Sequence, residues 1–196
     1  MEIFNFPQYS QEWWAIRQRK MTASHAQAIA SNGKGLETYI RQIMAEYYSS
    51  APPEAYSNKA MERGLEMEPQ AADAYAWEYM ADVKEVGFVV LNDYVGCSPD
   101  RFIGDDGLLE IKCPSDKVFF DLLLTEKIDT KYEWQIQMQL MITGRDWCDY
   151  TVFNPNFKDH LFVSRVYPDK DRCAKLEAGF EAGMKMIQEI EERMAA

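Results

Sequence analysis

The chain has 196 residues, 47% of them hydrophobic, and carries 21 basic against 32 acidic residues, a formal net charge of −11. This length suits one domain that buries about 70% of its unfolded surface. The composition excludes a disordered chain, a collagen-like repeat and a disulfide-dense mini-protein. The charge argues against non-specific nucleic-acid binding through the whole surface. Residues 1–63, however, hold seven Lys and Arg against six Asp and Glu, so a local basic site at the front of the chain stays compatible with DNA binding.

The first third of the chain is predicted to be helical. Short helices are indicated over residues 10–20 and 23–30. The segment 36–48 places its Leu, Ile, Met and Tyr side chains on one face of an amphipathic helix. A loop rich in Pro and Ser at 49–58 separates it from a longer helix over 58–81.

The hydrophobic period changes to that of β-strands after residue 82. The elements predicted from there on are strands at 85–91 and 108–113 with a hairpin turn at 104–107, helices at 117–125 and 131–143, strands at 149–154 and 160–166, and a helix at 169–194. The sequence therefore predicts an α/β protein with a central mixed β-sheet flanked by helices. We expect a single domain, 1–196, made of a helical amino-terminal part (1–82), a sheet core (83–167) and a carboxy-terminal helix (168–196).

The cysteines and histidines show no metal-binding spacing. Cys97, Cys113, Cys148 and Cys173 form no CxxC pair, and the two histidines fit neither HExxH nor HxH. Isolated cysteines are typical of reduced, buried side chains in a protein that is not secreted. The amino terminus lacks the features of a signal peptide, and no apolar run approaches the ~20 residues of a membrane span. We expect a cytoplasmic protein with no membrane partner.

The segment that points to chemistry is Pro99-Asp100, followed after nine residues by Glu110-x-Lys112. Alternation along a strand places Glu110 and Lys112 on one face, and a hairpin returns Asp100 to the same end of the sheet. Two carboxylates and an intervening backbone carbonyl are what Mg²⁺ takes from a protein, leaving positions for water and phosphate. A lysine beside them can orient or deprotonate an attacking water and offset the charge that grows on the phosphate.

The competing interpretation of this segment is structural. An ExK pair is most often part of the solvated face of an edge strand, with no chemical role. Here Glu110 and Lys112 interrupt an otherwise apolar strand, which favours a nuclease site without excluding ordinary surface charges.

Four sequence blocks, in order, carry a family resemblance. They are Trp13-x-x-x-Arg17 with Met21-Thr22-Ala23-Ser24, Gly64-x-x-x-Glu68-Pro69-x-Ala71, Ser98-Pro99-Asp100 through Glu110-Ile111-Lys112-Cys113-Pro114, and Tyr132-x-x-Gln135-x-Gln137-x-Gln139 through Thr143-Gly144. With them the chain resembles the YqaJ-type viral recombinases of the PD-(D/E)xK nuclease superfamily over about residues 11–155. The resemblance implies a restriction-endonuclease-like core.

The resemblance also assigns a metal site. It makes Asp100 and Glu110 the metal carboxylates, the Ile111 carbonyl the third protein ligand and Lys112 the catalytic lysine. The implied cofactor is Mg²⁺, with two ions per site, for which Mn²⁺ can substitute.

Four further residues receive roles by the same resemblance. Glu68 matches a helix glutamate that reaches toward the metal-bound water, and Gln135 matches a glutamine that supports the site. Arg17 and Ser24 match residues that hold a 5′-phosphate. Without the resemblance, Arg17 would be interpreted as a surface charge, Glu68 as a helix-surface charge and Gln135 as part of a polar helix side.

Two residues stand where the family contacts the terminal base pair. Met61 is expected to act as the apolar wedge against that pair, and Arg63 beside it to add a phosphate contact. Trp13 and Trp14 offer rings that could stack on a base, although tryptophans at the start of an amphipathic helix more often belong to the core.

The function implied is a Mg²⁺-dependent exonuclease that degrades one strand of duplex DNA in the 5′→3′ direction. It would release 5′-mononucleotides and leave 3′ single-stranded tails for phage or prophage recombination by strand annealing, in the cytoplasm of a bacterial host. The resemblance further implies a ring-shaped homotrimer on double-stranded DNA ends, with a single-strand annealing recombinase as partner. The alternatives are an endonuclease of the same superfamily, of restriction or junction type, and a catalytically inactive acidic protein that binds or mimics DNA.

Overall fold

The structure is a computed structural model that describes residues 1–50 and 59–196, with residues 59–61 described by their backbone alone. The described strands are β1 (Glu2–Phe4), β2 (Met21–Thr22), β3 (Val83–Glu85), β4 (Phe88–Asn92), β5 (Val95–Cys97), β6 (Arg101–Ile103), β7 (Gly107–Lys112), β8 (Trp147–Phe153) and β9 (Leu161–Val166). The described helices are α1 (Gln11–Arg17), α2 (Ala26–Ser31), α3 (Lys34–Tyr48), α4 (Lys59–Tyr79), α5 (Asp116–Thr125), α6 (Thr130–Thr143) and α7 (Lys170–Ala195). A 3₁₀ turn, Ala23–His25, precedes α2.

The larger sheet has five strands in the order β3-β6-β7-β8-β9, with β7 at its centre. β7 is parallel to β8 and antiparallel to β6, so the sheet is mixed, as predicted. The predicted hairpin turn joins β6 to β7, and Gly104 within it has a φ of +50°, which glycine adopts without strain. Leu108 packs in one hydrophobic cluster whereas Leu109 and Ile111 pack in another, which confirms the alternation along β7 and places Glu110 on the Leu108 face.

A second sheet, in the order β1-β4-β5-β2, adds to the one central sheet that was predicted. The strand predicted over 85–91 corresponds mainly to β4 of the smaller sheet, while its first residue, Glu85, is the end of β3 in the larger sheet. Gly87 between them passes close to the amino-terminal segment, where a Cβ would lie 2.2 Å from the Phe6 carbonyl oxygen. β1 and β2 also correct the purely helical interpretation of residues 1–82.

Two hydrophobic clusters hold the helices against the sheets. The larger contains side chains from α2, α3, α6 and α7 together with strands of both sheets. The smaller lies between α4 and the opposite face of the five-stranded sheet, and includes Tyr75, Leu109 and Ile111. The β6–β7 hairpin is therefore covered on both faces, with α6 on one side and α4 on the other.

All four cysteines are free, and Cys97, Cys113 and Cys148 are buried as expected, whereas Cys173 is only half-buried. Within the described ranges, no helix combines the length and apolar character that crossing a membrane requires.

Candidate active site

Asp100 and Glu110 meet because of the hairpin register. Asp100 directly precedes β6, and the pairing of Arg101 with Leu109 places it beside Glu110 on β7. An oxygen of Asp100 (Oδ2) accepts a hydrogen bond of 2.6 Å from the backbone N–H of Ile111. Glu110 has no solvent-exposed surface. β7 is thus a central strand, and the interpretation of Glu110 as part of a solvated edge face is wrong.

The Glu110 carboxylate is held by three side-chain donors. Gln135 Nε2 donates to its Oε1 at 2.6 Å, and Gln139 Nε2 donates to its Oε2 at 2.8 Å. These glutamines are one turn apart on α6, so they present their amides to the same carboxylate. Lys112 Nζ also donates to Oε1. Every oxygen of this buried carboxylate therefore has a partner, and its orientation is fixed.

The charge balance of this cluster favours a cation. Burial, followed by the negative charge of Glu110, raises the pKa of Asp100 well above its usual range. Burial lowers the pKa of Lys112, but the carboxylates of Glu110 and Asp100 outweigh it and raise the pKa above the ordinary lysine value. Lys112 Nζ also contacts the Ile111 carbonyl oxygen at 3.0 Å.

The donor set fits a hard divalent cation. Among the described residues, no three His, Cys, Asp or Glu side chains lie close enough to hold a metal ion. A backbone carbonyl would therefore serve as the third donor, and the Ile111 carbonyl, which Lys112 Nζ contacts, is the predicted one. Mg²⁺ binds oxygen donors of this kind. The charge of a bound divalent cation would favour the ionised form of Asp100, whose pKa is raised in its absence.

Glu68 approaches the cluster from α4. Its Oε1 accepts a 2.7 Å hydrogen bond from Arg101 Nη1, which also donates to the Asp100 carbonyl oxygen at 2.6 Å. Arg101 is 8% exposed, so this pair is largely desolvated. The charge of Glu68 contributes to the raised pKa of Asp100, so the two carboxylates act on one another. The role of Glu68 toward a bound water stays a prediction.

Arg17 lines a separate small cavity of about 110 Å³. The lining also includes Lys20, His25 and Tyr39, together with the acidic Glu46 and the apolar side chains of Trp14 and Ile43. The guanidinium carbon of Arg17 lies 4.0 Å from the centroid of the Trp13 ring. Burial lowers the pKa of Arg17, and no carboxylate of the described residues forms an ion pair with it. A half-buried arginine without a counter-ion is suited to an anionic ligand.

Ser24 does not line this cavity but contacts two residues that do, Thr22 and His25. It is exposed on the 3₁₀ turn, and its hydroxyl oxygen lies 3.4 Å from Thr22 Oγ1 and 3.2 Å from His25 Nδ1. The structure thus brings Ser24 beside residues that share the Arg17 cavity.

The cavity and the carboxylate cluster are connected by the amino-terminal segment. Trp13, whose ring carries Arg17 on its face, donates from Nε1 to the Ser98 hydroxyl at 2.8 Å. Gln8 Nε2 donates to the Pro99 carbonyl oxygen at 2.9 Å. Both bonds reach the two residues that precede Asp100. Trp13 is accordingly a core residue, whereas its neighbour Trp14 is exposed.

Tyr9 lies between the two regions. Burial, then the charges of Asp100 and Glu68, raise the pKa of its phenol, while the charge of Arg17 lowers it. Its backbone has a φ of 66°, an uncommon conformation for an aromatic residue and one that recurs at functional sites.

Of the predicted base-pair wedge, Met61, and the predicted phosphate contact, Arg63, the structure describes the side chain of Arg63 alone. The Met61 side chain lies outside the described residues. Two guanidinium nitrogens of Arg63, Nε and Nη2, are buried without a hydrogen-bond partner among the described residues. The charge of Arg63 acts on Cys113 and Asp116, which places it near the carboxy-terminal end of β7.

Three further residues of the site had no assigned role. Gln139 was expected only to share a helix face with Gln135, from their spacing of four residues. Arg101 and Tyr9 had no such signal, because their roles depend on the docking of α4 and of the amino-terminal segment.

The YqaJ-like viral recombinase domain matches residues 12–146 of this chain, and that range contains both the carboxylate cluster and the Arg17 cavity. The chain belongs to the YqaJ-like viral recombinase family. No curated protein sequence matches it.

Solved structures agree with this family. The YqaJ-like chain resembles LHK-Exo, an alkaline exonuclease from Laribacter hongkongensis, with 30% sequence identity and a TM-score of 0.85 over 95% of this chain and 98% of the other. LHK-Exo in complex with dAMP gives 31% identity and a TM-score of 0.86 over 94% and 96%. A phage-related exonuclease from Haemophilus somnus shares the fold at 14% identity, with a TM-score of 0.66 over 89% and 96%. The α/β core is therefore of the restriction-endonuclease-like PD-(D/E)xK type, as predicted.

Proposed function

We propose that this YqaJ-like protein is a Mg²⁺-dependent exonuclease that degrades one strand of duplex DNA in the 5′→3′ direction. The observation that carries the proposal is the pairing of Asp100 with the buried Glu110 beside Lys112, joined through Trp13 to a cavity whose Arg17 forms no ion pair with a described carboxylate. The likeness to an alkaline exonuclease over almost the whole chain supports nuclease chemistry.

Hydrogen bonds within the carboxylate cluster orient the two carboxylates that would bind the metal ion. Gln135 and Gln139 fix the Glu110 carboxylate, and the Ile111 N–H fixes that of Asp100. Lys112 stays protonated at neutral pH because its pKa is raised, so its ammonium can offset the negative charge that grows on a phosphate. When bound here, Mg²⁺ would supply an activated water and stabilise the leaving oxygen.

The Arg17 cavity accounts for the direction of the proposed reaction. A 5′-phosphate held by Arg17 and Ser24 would place the first phosphodiester of that strand toward the carboxylate cluster. Each cut leaves a new 5′-phosphate, which becomes the anchor for the next. The relative LHK-Exo was solved with dAMP, a nucleoside monophosphate of the kind that such a reaction releases.

The assembly and the biological role extend the same proposal. We infer a homotrimeric ring on double-stranded DNA ends that produces 3′ tails for a single-strand annealing recombinase, in the cytoplasm of a phage-infected or lysogenic bacterium. A ring reconciles the net charge of −11 with DNA binding, since the outer surface can be acidic while the channel collects the basic residues.

The proposal is tested by digestion of end-labelled linear duplex and of a covalently closed circle made from the same sequence. Mg²⁺ or Mn²⁺ should support release of 5′-mononucleotides from the linear DNA, Ca²⁺ should not, and the circle should stay intact. Cleavage of the circle would instead identify an endonuclease.

The polarity is tested with 5′-phosphorylated and 5′-hydroxyl ends. Losing a charge-assisted contact to phosphate costs about 1.5–3 kcal/mol, or roughly a tenfold to hundredfold change in rate. Arg17→Ala should therefore remove most of the preference for the phosphorylated end. Arg193→Ala, which alters an exposed arginine at the end of α7, serves as the matched control. Equal rates on both ends in the unaltered protein would contradict the 5′-phosphate pocket.

A further inference from the structure

His25 lines the Arg17 cavity and is held there by contacts at one face and one edge of its ring. One face stacks on Tyr39, with the ring centroids 4.0 Å apart and the planes 9° from parallel. At the edge, Nδ1 lies 3.2 Å from the Ser24 hydroxyl oxygen. His25 and Arg17 both line the cavity, so an anion bound there would meet the imidazole as well as the guanidinium.

The platform beneath His25 is rigid. Tyr39 is buried, and its hydroxyl oxygen accepts a 2.9 Å hydrogen bond from the backbone N–H of Thr22 and lies 3.2 Å from Thr22 Oγ1. The stacked imidazole therefore has a defined plane. With Nδ1 engaged by Ser24, the other ring nitrogen, Nε2, has no hydrogen-bond partner in the described part of the chain.

The surroundings of the ring favour the neutral imidazole when the cavity is empty. Its partial burial, followed by the positive charge of Arg17, lowers the pKa of His25 below the ordinary histidine value, and Glu46 on α3 opposes this weakly. Lys20 and Arg19 line the same cavity, and Tyr39 contributes an uncharged ring. A phosphate would reverse this balance, because its negative charge favours the protonated imidazole.

We propose that His25 is a second phosphate-binding residue of this cavity, and that its protonation strengthens the preference for 5′-phosphorylated DNA ends as the pH falls. The inference rests on the proposed function, since it takes the ligand of the cavity to be the terminal 5′-phosphate. Protonated His25 donates from Nδ1–H to Ser24 and from Nε2–H to a phosphate oxygen, and no covalent step is involved.

The sign of the effect follows from linkage. A group whose pKa is raised by a ligand binds a proton together with that ligand, so affinity for the ligand is greatest at low pH. The contribution of His25 is therefore full below the histidine pKa of the free protein and is lost as the pH rises through that of the complex. The cationic Arg17 contributes at every pH of this range.

The experiment compares kcat/KM for release of the first nucleotide from 5′-phosphorylated and 5′-hydroxyl ends between pH 6 and pH 8.5. The ratio of the two values cancels the pH dependence of the chemical step, which both substrates share. The terminal phosphate itself ionises near pH 6, so the profile of the unaltered protein is compared with that of His25→Gln, in which this ionisation is unchanged. His160→Gln applies the same substitution to the other histidine of the sequence, before β9, and is the matched control.

At pH 6 the ratio for the unaltered protein and for His160→Gln should exceed that of His25→Gln by about tenfold, and the three should converge toward pH 8.5. His25→Lys, which carries a permanent charge, should give a high ratio that changes no more with pH than that of His25→Gln. Parallel profiles for the unaltered protein and His25→Gln would overturn the inference and leave the proposed function standing. A ratio of one in the unaltered protein at every pH would instead remove the 5′-phosphate pocket itself.

Discussion

The fold places the Asp100 carboxylate where its ionised form is unfavourable. Burial and the neighbouring Glu110 raise its pKa, so the ionised form destabilises the metal-free protein at neutral pH. This cost increases as the pH rises from the ordinary Asp pKa through the raised one. Sites built for a cation commonly store unfavourable electrostatics of this kind.

Asp100→Asn should therefore abolish cleavage and raise the thermal stability of the metal-free protein at pH 7. Each kcal/mol of relief corresponds to about 2–4 °C in Tm for a chain of this size. Mg²⁺ should raise the Tm of the unaltered protein by mass action and leave that of Asp100→Asn almost unchanged. Thermal unfolding with and without Mg²⁺ measures both effects, and full activity in the variant would contradict the metal-site assignment.

Arg101 permits a matched comparison of two glutamates. Its Nη1 lies 2.7 Å from Glu68, whose side chain is 22% exposed, and its Nη2 lies 3.7 Å from Glu85, whose side chain is 87% exposed. Glu68→Gln should cost about 1.5–3 kcal/mol of unfolding free energy and lower the cleavage rate. Glu85→Gln should cost about 0–1 kcal/mol and leave the rate unchanged. Equal losses in chemical denaturation would show that burial does not distinguish the two pairs.

Residues that act through local spacing were predictable from the pattern alone, whereas those that act through helix docking were assigned only by the family resemblance, as Glu68 and Gln135 were, or not at all. Asp100, Glu110 and Lys112 belong to one hairpin, so strand alternation alone brings them together. The full burial of Glu110 was missed, because it depends on α6 covering β7, and a pattern of two polar residues in a strand cannot show this. Arg101 was missed for the same reason, since its partner Glu68 comes from α4.

Helix α7 packs so closely on α2 that one of its positions has no room for a side chain. A Cβ at Gly179 would lie 2.2 Å from the Ile29 carbonyl oxygen, which is backbone and cannot move aside. Gly64 is also inside a helix, but nothing lies within 4 Å of its added Cβ. The methyl group of an alanine would therefore clash with backbone at position 179 and have free space at position 64.

Gly179→Ala should destabilise the protein by about 1–3 kcal/mol through overpacking. Gly64→Ala should stabilise it by about 0.5–1 kcal/mol, because alanine has the higher helix propensity. Urea unfolding of both variants tests the pair. A stabilised Gly179→Ala would contradict the close contact between α7 and α2.

Long elements were predictable from sequence and short ones were not. The helices predicted at 36–48 and 169–194 agree with α3 and α7 to within two residues at either end. The strands β1, β2 and β5 have only two or three residues, too few to show a hydrophobic period. β1 pairs with β4 and β2 pairs with β5, so both strands form only when the amino-terminal region folds back onto the β4–β5 hairpin, which is a tertiary contact.

At the scale of the whole molecule, charge is segregated along the chain. Residues 64–196 hold fourteen basic and twenty-six acidic residues, and the cavity of Arg17, Arg19 and Lys20 belongs to the nearly neutral first third. The basic side chains of this cavity therefore give an acidic protein a local place at which a phosphate is attracted.

The proposed ring makes a prediction about mass. Sedimentation equilibrium without DNA should give three times 22.8 kDa, or about 68 kDa, at micromolar concentration. The mass should not change in the presence of a short duplex beyond that of the DNA itself. A monomeric mass under both conditions would contradict the homotrimer.

The Trp13 side chain links the Arg17 cavity to the segment that precedes the carboxylate cluster, and this link has a thermodynamic consequence. Its ring faces Arg17, and its N–H reaches Ser98, two residues before Asp100. If a phosphate in the Arg17 cavity increases the affinity of the carboxylates for a cation, the cation must increase the affinity of the cavity for the DNA end by the same factor. The enzyme would then hold its cofactor best when seated on a DNA terminus, and calcium titrations with phosphorylated and unphosphorylated duplexes would measure the factor. Trp13→Phe should reduce it toward one, whereas Trp14→Phe should not.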